Sequence, residues 1–161
     1  FRKAFTRLQL WRGPDLRALA LGVAVYLIWI ALVPQVESQD PRLVLHTELA
    51  AIWLLSRLVG SVVVVPIVEE LAFRGYLLRR LQRRDFEAVP VGSLTAASVL
   101  GSSLAFGCLH DAWFAGLLAG TAYAYATTIR GRLSDCIIAH AVTNLCIALH
   151  VILFDRWDLW I

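Results

Sequence analysis

The sequence predicts an all-α fold, a multi-pass transmembrane bundle of about five or six helices, each needing about 20 apolar residues to cross the hydrocarbon core. Two observations carry this. Hydrophobic residues make up 59% of the 161, and the mean hydropathy is +0.69. Charged residues are only 17%, against roughly 25% in an average soluble domain. A water-soluble core of this size does not need so much apolar sequence, so the surplus is expected to face lipid. The net charge of +3 is small, and no basic stripe with interleaved aromatics points to nucleic acid. Cys108, Cys136 and Cys146 are odd in number and form no Cys-x-x-Cys pair, which argues against a disulfide framework or a zinc ribbon.

The elements follow in order. Residues 1–15 place Arg2, Lys3, Arg7 and Arg12 around Phe5, Leu8, Leu10 and Trp11, the pattern of a basic amphipathic entry at a membrane surface. From Ala18 to Val33 every residue is apolar or glycine, and Pro34 with the polar stretch to Pro41 ends the run. The stretch 43–84 reads either as two helices broken near Gly60 and Ser61 or as one long tilted helix. Pro66 sits in the first turn of a second helix or kinks a continuous one. Arg79, Arg80, Arg83 and Arg84 make a basic exit. Spans at 91–110 and 112–129 follow, with Ala97, Gly101 and Ala105 in one and Gly116, Gly120 and Ala124 in the other at every fourth position. Such small-residue stripes let membrane helices pack closely, so these two are expected to be neighbours. Arg130-Gly131-Arg132 is a second basic turn before a last span at 133–154. The two basic turns belong on one side, by the positive-inside rule the cytoplasmic one, and the start of the chain joins them if 43–84 is a single span. The chain is read as one membrane domain, 1–161. It begins with Phe1 and has no methionine, and is expected to be part of a longer protein.

Ionisable residues inside apolar segments are the informative feature. Glu69, Glu70 and Arg74 interrupt the run from Val62 to Leu78. Facing lipid, each would cost about 2.5–3.5 kcal/mol. The three together would cost roughly 8–10 kcal/mol, a whole domain's stability. They are therefore expected to face the bundle interior. Glu70 and Arg74 are four apart with the carboxylate first, the favourable order for a helical ion pair, which leaves Glu69 without a partner on its own helix. Phe106 and His110 share a face, as do His140 and Asn144. His46 and His150 read as structural, and Asp135 as a charge on a helix N-terminus.

A carboxylate and an imidazole can hold and deprotonate water, and a second polar pair can donate to the oxyanion formed at a carbonyl. In this reading Glu69 with His110 is the base, His140 and Asn144 form the oxyanion hole, and Glu70 with Arg74 orients the first carboxylate. No Ser-x-x-Lys, Gly-x-Ser-x-Gly or His-Glu-x-x-His pattern is present. A membrane immunity or scaffold protein without catalysis, or a proton-coupled carrier, are the competing readings.

The order Glu69-Glu70-x-x-x-Arg74, Phe106-x-x-x-His110, His140-x-x-x-Asn144, with the text Val-Pro-Ile-Val-Glu-Glu-Leu-Ala-Phe-Arg-Gly-Tyr-Leu around the first motif, resembles the CAAX protease and bacteriocin-processing family over roughly residues 58–150. The resemblance implies a multi-pass intramembrane endopeptidase of the cell membrane, by expectation the bacterial inner membrane. It also implies a membrane-associated peptide or protein as substrate, and the same roles for Glu69, His110, His140 and Asn144. It leaves two chemistries open: metal-independent glutamate-type hydrolysis, or zinc held by Glu69, His110 and His140. The Glu70–Arg74 pairing and the presence of Asn144, a poor zinc ligand, favour the reaction without a metal. The wording around Glu69 further resembles the protease part of a fusion behind an exosortase-like sorting enzyme.

Overall fold

The computed structural model describes residues 13–44 and 47–160, so the amphipathic entry and His46 lie outside the described residues. Five helices carry the fold: α1 Leu16–Leu32, α2 Thr47–Arg80, α3 Ala96–Gly107, α4 Trp113–Ala126 and α5 Leu133–Phe154. No strand occurs among the described residues. Two helices, α2 and α5, are long and apolar enough to cross a membrane by length and composition, and very little of α2 is buried against protein. Leu49, Ile52, Leu55, Val63, Val64 and Val68 stand exposed along it, a surface that fits hydrocarbon and not water.

The ambiguous stretch resolves into one continuous helix of 34 residues, about 51 Å long at 1.5 Å per residue. It is continuous but not uniformly α. Gly60–Val64 and Leu71–Leu77 are π-helical, and Glu69 and Glu70 lie in the α-turns between them. Pro66 thus sits inside a continuous helix, just beyond a π segment.

The spans expected at 91–110 and 112–129 are shorter. A turn at Pro90–Ser93 and a capping box of Thr95 with Ser98 start α3 late, and a turn at Gly107 ends it early. With 12 residues, α3 rises about 18 Å, well short of a hydrocarbon core of about 30 Å. His110 lies just beyond its end, half-buried.

The two helices are neighbours as expected, with a correction to the register on α3. Gly116 and Gly120 face α3, where an added Cβ would stand 3.0 Å from the Gly107 Cα and 3.1 Å from the Ser103 Cα respectively. On α3 itself the buried face is Ser98, Ser102, Ser103, Phe106 and Gly107. Ala97 is exposed, and Gly101 turns to Leu81. The small hydroxyls of serine serve close packing as the alanines were expected to.

Both basic turns lie at one end. A Cβ on Gly92 would stand 2.8 Å from the Thr127 carbonyl, and Arg130 donates to the Gly13 carbonyl at 3.0 Å and pairs with Asp135 in the first turn of α5. Asp15 caps α1 at this end, where hydrogen bonds from Arg17 hold its carboxyl down, to about 2. At the opposite end Trp53, Trp157 and Trp160 cluster, with ring centroids 6.0–6.5 Å apart, and His150 accepts or donates at Tyr26 Oη, 2.8 Å away, a structural contact.

Helices α1 and α5 meet at Gly22. A Cβ there would come 2.4 Å from the Ala139 carbonyl oxygen, and Thr143 Oγ1 donates to the Gly22 carbonyl at 2.8 Å. Gly22→Leu is therefore expected to destabilise by about 1–3 kcal/mol through overpacking, read as a lowered melting temperature in detergent. Gly60→Ala, where nothing lies within 4 Å of the added carbon, leaves it unchanged or raises it. Equal effects at the two glycines would contradict this packing.

Candidate active site

The site is built on α2. Glu70 and Arg74 form the pair expected from their spacing: Arg74 Nη1 donates to Glu70 Oε1 at 3.0 Å, and both side chains are wholly buried. The same Oε1 accepts from His140 Nδ1 at 2.9 Å. Arg74 also donates through Nη2 to the Gly120 carbonyl at 2.7 Å, and its guanidinium lies 4.6 Å from the Phe106 ring centre and 5.5 Å from that of Tyr123. One carboxylate thus ties α2 to α5, and its arginine ties α2 to α4.

A carboxylate only accepts, so His140 Nδ1 carries the proton in that bond and Nε2 is left for other work. Nε2 stands 3.9 Å from Glu69 Oε2, a buried oxygen with no hydrogen-bond partner. The His140 ring stacks on Tyr123, with centroids 4.6 Å apart at 16°, and meets the edge of Phe106. Packing on two sides fixes the ring plane.

His110 lies just past α3. Its Nδ1 is 3.0 Å from the Phe106 carbonyl, which only accepts, so that nitrogen is the donor and Nε2 is free as a base. The ring is held between Phe106, 4.9 Å away, and the edge of Trp29 at 5.5 Å. The face expected for Phe106 and His110 is kept although the helix has already ended.

Asn144 is held by a consequence of Pro66. In the π segment Val65 N–H reaches back to the Gly60 carbonyl. In that register the next carbonyl, Ser61, would take its hydrogen from residue 66, and proline has none. Asn144 Nδ2 supplies it at 2.8 Å. A side-chain amide has two N–H groups, so one remains.

His110, His140, Asn144 and Tyr123 line one cavity of about 260 Å³. A second, of about 670 Å³, shares Trp29, His110 and Leu159 with it and runs past Pro34, Glu37 and Asp111. The site therefore communicates with the end of the bundle opposite the basic turns. Of the sequence-predicted residues, Glu69, Glu70, Arg74 and His140 form one chain of contacts. His110 stands beside it through Phe106, which touches both imidazoles, and Asn144, bound to the Ser61 carbonyl, shares only the cavity wall with the two histidines. Glu69 meets His140, where sequence reasoning paired it with His110. Among the described residues no three of His, Cys, Asp and Glu are grouped as metal ligands, and both His Nδ1 atoms already serve Phe106 and Glu70.

Sequence reasoning missed Tyr123, Trp29 and Gly22. Tyr123 carried a signal: it falls three residues after Gly120 and seven after Gly116, on the helix face already marked as packed. Trp29 and Gly22 sat in a uniformly apolar run that offers no such mark.

A lipid-facing helix bundle in which two imidazoles and an amide line a cavity, with two carboxylates against one of the imidazoles, has the layout of a membrane endopeptidase. The chain belongs to the type II CAAX prenyl endopeptidase Rce1-like family, whose profile matches residues 51–146, more than half its length. Neither a curated protein nor a solved structure matches it.

The Pro66–Ser61–Asn144 relation is testable. Asn144→Ala strips the donor from a carbonyl without another and should cost about 1–3 kcal/mol in detergent melts. In a Pro66→Ala background, which restores a backbone N–H, the same change should cost clearly less. Additive losses would contradict the relation.

Proposed function

We propose that this protein is an intramembrane endopeptidase that hydrolyses a peptide bond of a membrane-associated peptide or protein, with water as nucleophile. The supporting observation is Glu69 Oε2, a buried carboxylate oxygen without a hydrogen-bond partner, 3.9 Å from His140 Nε2. Glu69 takes a proton from water, assisted by the free Nε2 of His110. The resulting hydroxide adds to the scissile carbonyl. The oxyanion accepts from the second N–H of Asn144 and from His140 Nε2. Because Nδ1 already carries the proton bound by Glu70, Nε2 donates only when the ring is an imidazolium, and Glu69 and Glu70 flank that charge. As the tetrahedral species collapses, the protonated Glu69 returns its proton to the leaving amine, giving one new carboxyl and one new amino terminus. Glu70 and Arg74 position His140 and do not touch substrate.

No step here passes through a metal. In a multi-pass orientation with the basic turns in the cytoplasm, the second cavity opens on the opposite face, and substrate and water enter from there. Membership of a prenyl endopeptidase family supports a prenylated protein as one candidate substrate. A bacterial inner membrane is the proposed setting.

The test is cleavage of membrane-tethered peptides by the full chain reconstituted in vesicles. Glu69→Gln should lower kcat by about 10²–10⁴, the range of a general base. Asn144→Ala should lower it by about 10²–10³. Both should retain helicity and insertion, and chelators should leave the wild-type rate unchanged. A Glu69→Gln protein that keeps its biological effect while cleaving nothing would instead support the immunity or scaffold reading.

A further inference from the structure

Arg57 lies in α2, between Leu54, Leu55, Leu58 and Val59, and forms part of the wall of the cavity that holds His110, His140 and Asn144. Its guanidinium stands 5.9 Å from the Trp160 ring centre and meets no carboxylate among the described residues. The contrast with Arg74 on the same helix is sharp: that guanidinium is spent on Glu70 and Gly120, and Arg42, Arg130 and Arg156 each hold an aspartate. Arg57 is exposed and borders a cavity, and a guanidinium with no acidic partner among the described residues is open to a ligand's charge. An arginine fork presents two parallel N–H groups to a carboxylate.

Position limits the source of that carboxylate. Arg57, Ser61 and Val65 belong both to the reaction cavity and to a groove of about 320 Å³ along α2 with Trp53, Ser56 and Gly60. The reaction cavity, at about 260 Å³, places Arg57 beside His140 and Asn144, where a short peptide segment presented to them would meet it. We infer that Arg57 binds a carboxylate of the substrate peptide, lying within a few residues of the bond presented to Asn144 and His140. This rests on the peptidase reading above and adds to it a polarity: the segment occupying the cavity is anionic at the Arg57 end, with Trp160 backing the guanidinium.

The experiment uses the full chain in neutral-lipid vesicles and a peptide that the wild type cleaves. Arg57→Gln should raise KM at least about tenfold, the loss of a charge-assisted bidentate contact, with kcat little changed. Arg57→Lys, which keeps charge without the fork, should recover part of it. On the wild type, amidating the peptide's C-terminus or replacing its acidic side chains by their amides should reproduce the loss, and neither should add to it in Arg57→Gln. Whichever modification acts identifies which carboxylate is bound. An unchanged KM in Arg57→Gln with an intact melting temperature overturns the inference. So does a KM that follows anionic-lipid content and ignores the peptide's carboxylates. Failure of the peptidase reading shows separately, as no cleavage in any arm. Binding of labelled peptide to Glu69→Gln, lost on adding Arg57→Gln, reads the carboxylate site without turnover.

Discussion

Everything in the bundle depends on one oxygen, Oε1 of Glu70, which accepts from Arg74 and from His140 in a wholly buried setting. A carboxylate placed alone in this interior would be prohibitively unfavourable. Paired with a guanidinium on its own helix it is tolerable, and the guanidinium then has donors left for the Gly120 carbonyl. The polar interaction that makes the charge affordable also joins α2, α4 and α5. Removing one partner would leave a buried charge uncompensated, which is far more disruptive than never having had the pair.

From that anchor the remaining geometry follows by packing. His140 cannot turn, because Nδ1 is fixed to Glu70 and its plane is fixed by Tyr123 and Phe106. Nε2 therefore points toward Glu69. Phe106 lies among Phe73, His110, Tyr123, His140 and the Arg74 guanidinium. The glycines of α4 matter for the same reason: a Cβ on Gly120 would meet Ser103 and stand 3.3 Å from Arg74 Nη2. The two π segments of α2 bracket the Glu69-Glu70 pair, a placement common at functional sites. The upstream one, with Pro66, exposes the carbonyl that aligns Asn144.

The contacts of the candidate site were partly legible because charge in an apolar run has few explanations. Glu70 and Arg74 announced their pairing by an i,i+4 spacing, and His140 and Asn144 shared a face for the same reason. The last helix, bounded by Arg132 and Asp155, was read at its true limits. What resisted reading was set by tertiary contacts. Whether 43–84 bends or continues turns on how the Ser61 carbonyl is satisfied, and its donor, Asn144, is 83 residues away. The shortness of α3 and α4 was hidden because apolar flanks at Val91 and at Leu109 look like helix although turns form there. The α3 register was misread because Ser102 and Ser103 pack as small residues, and hydropathy ranks them as polar. Gly22 was one apolar-run residue among many until its contact with Ala139 gave it a reason.

The account is tested most directly by the protonation of one ring. In ¹⁵N-histidine-labelled protein in lipid nanodiscs, with the four histidines assigned by single substitutions, the His140 Nδ1 should be protonated, and its resonance should shift when Glu70 is replaced by glutamine. A His140 ring with bare Nδ1, or one indifferent to the Glu70 change, would contradict the anchoring bond from which the positions of Glu69, His140 and the oxyanion site are derived.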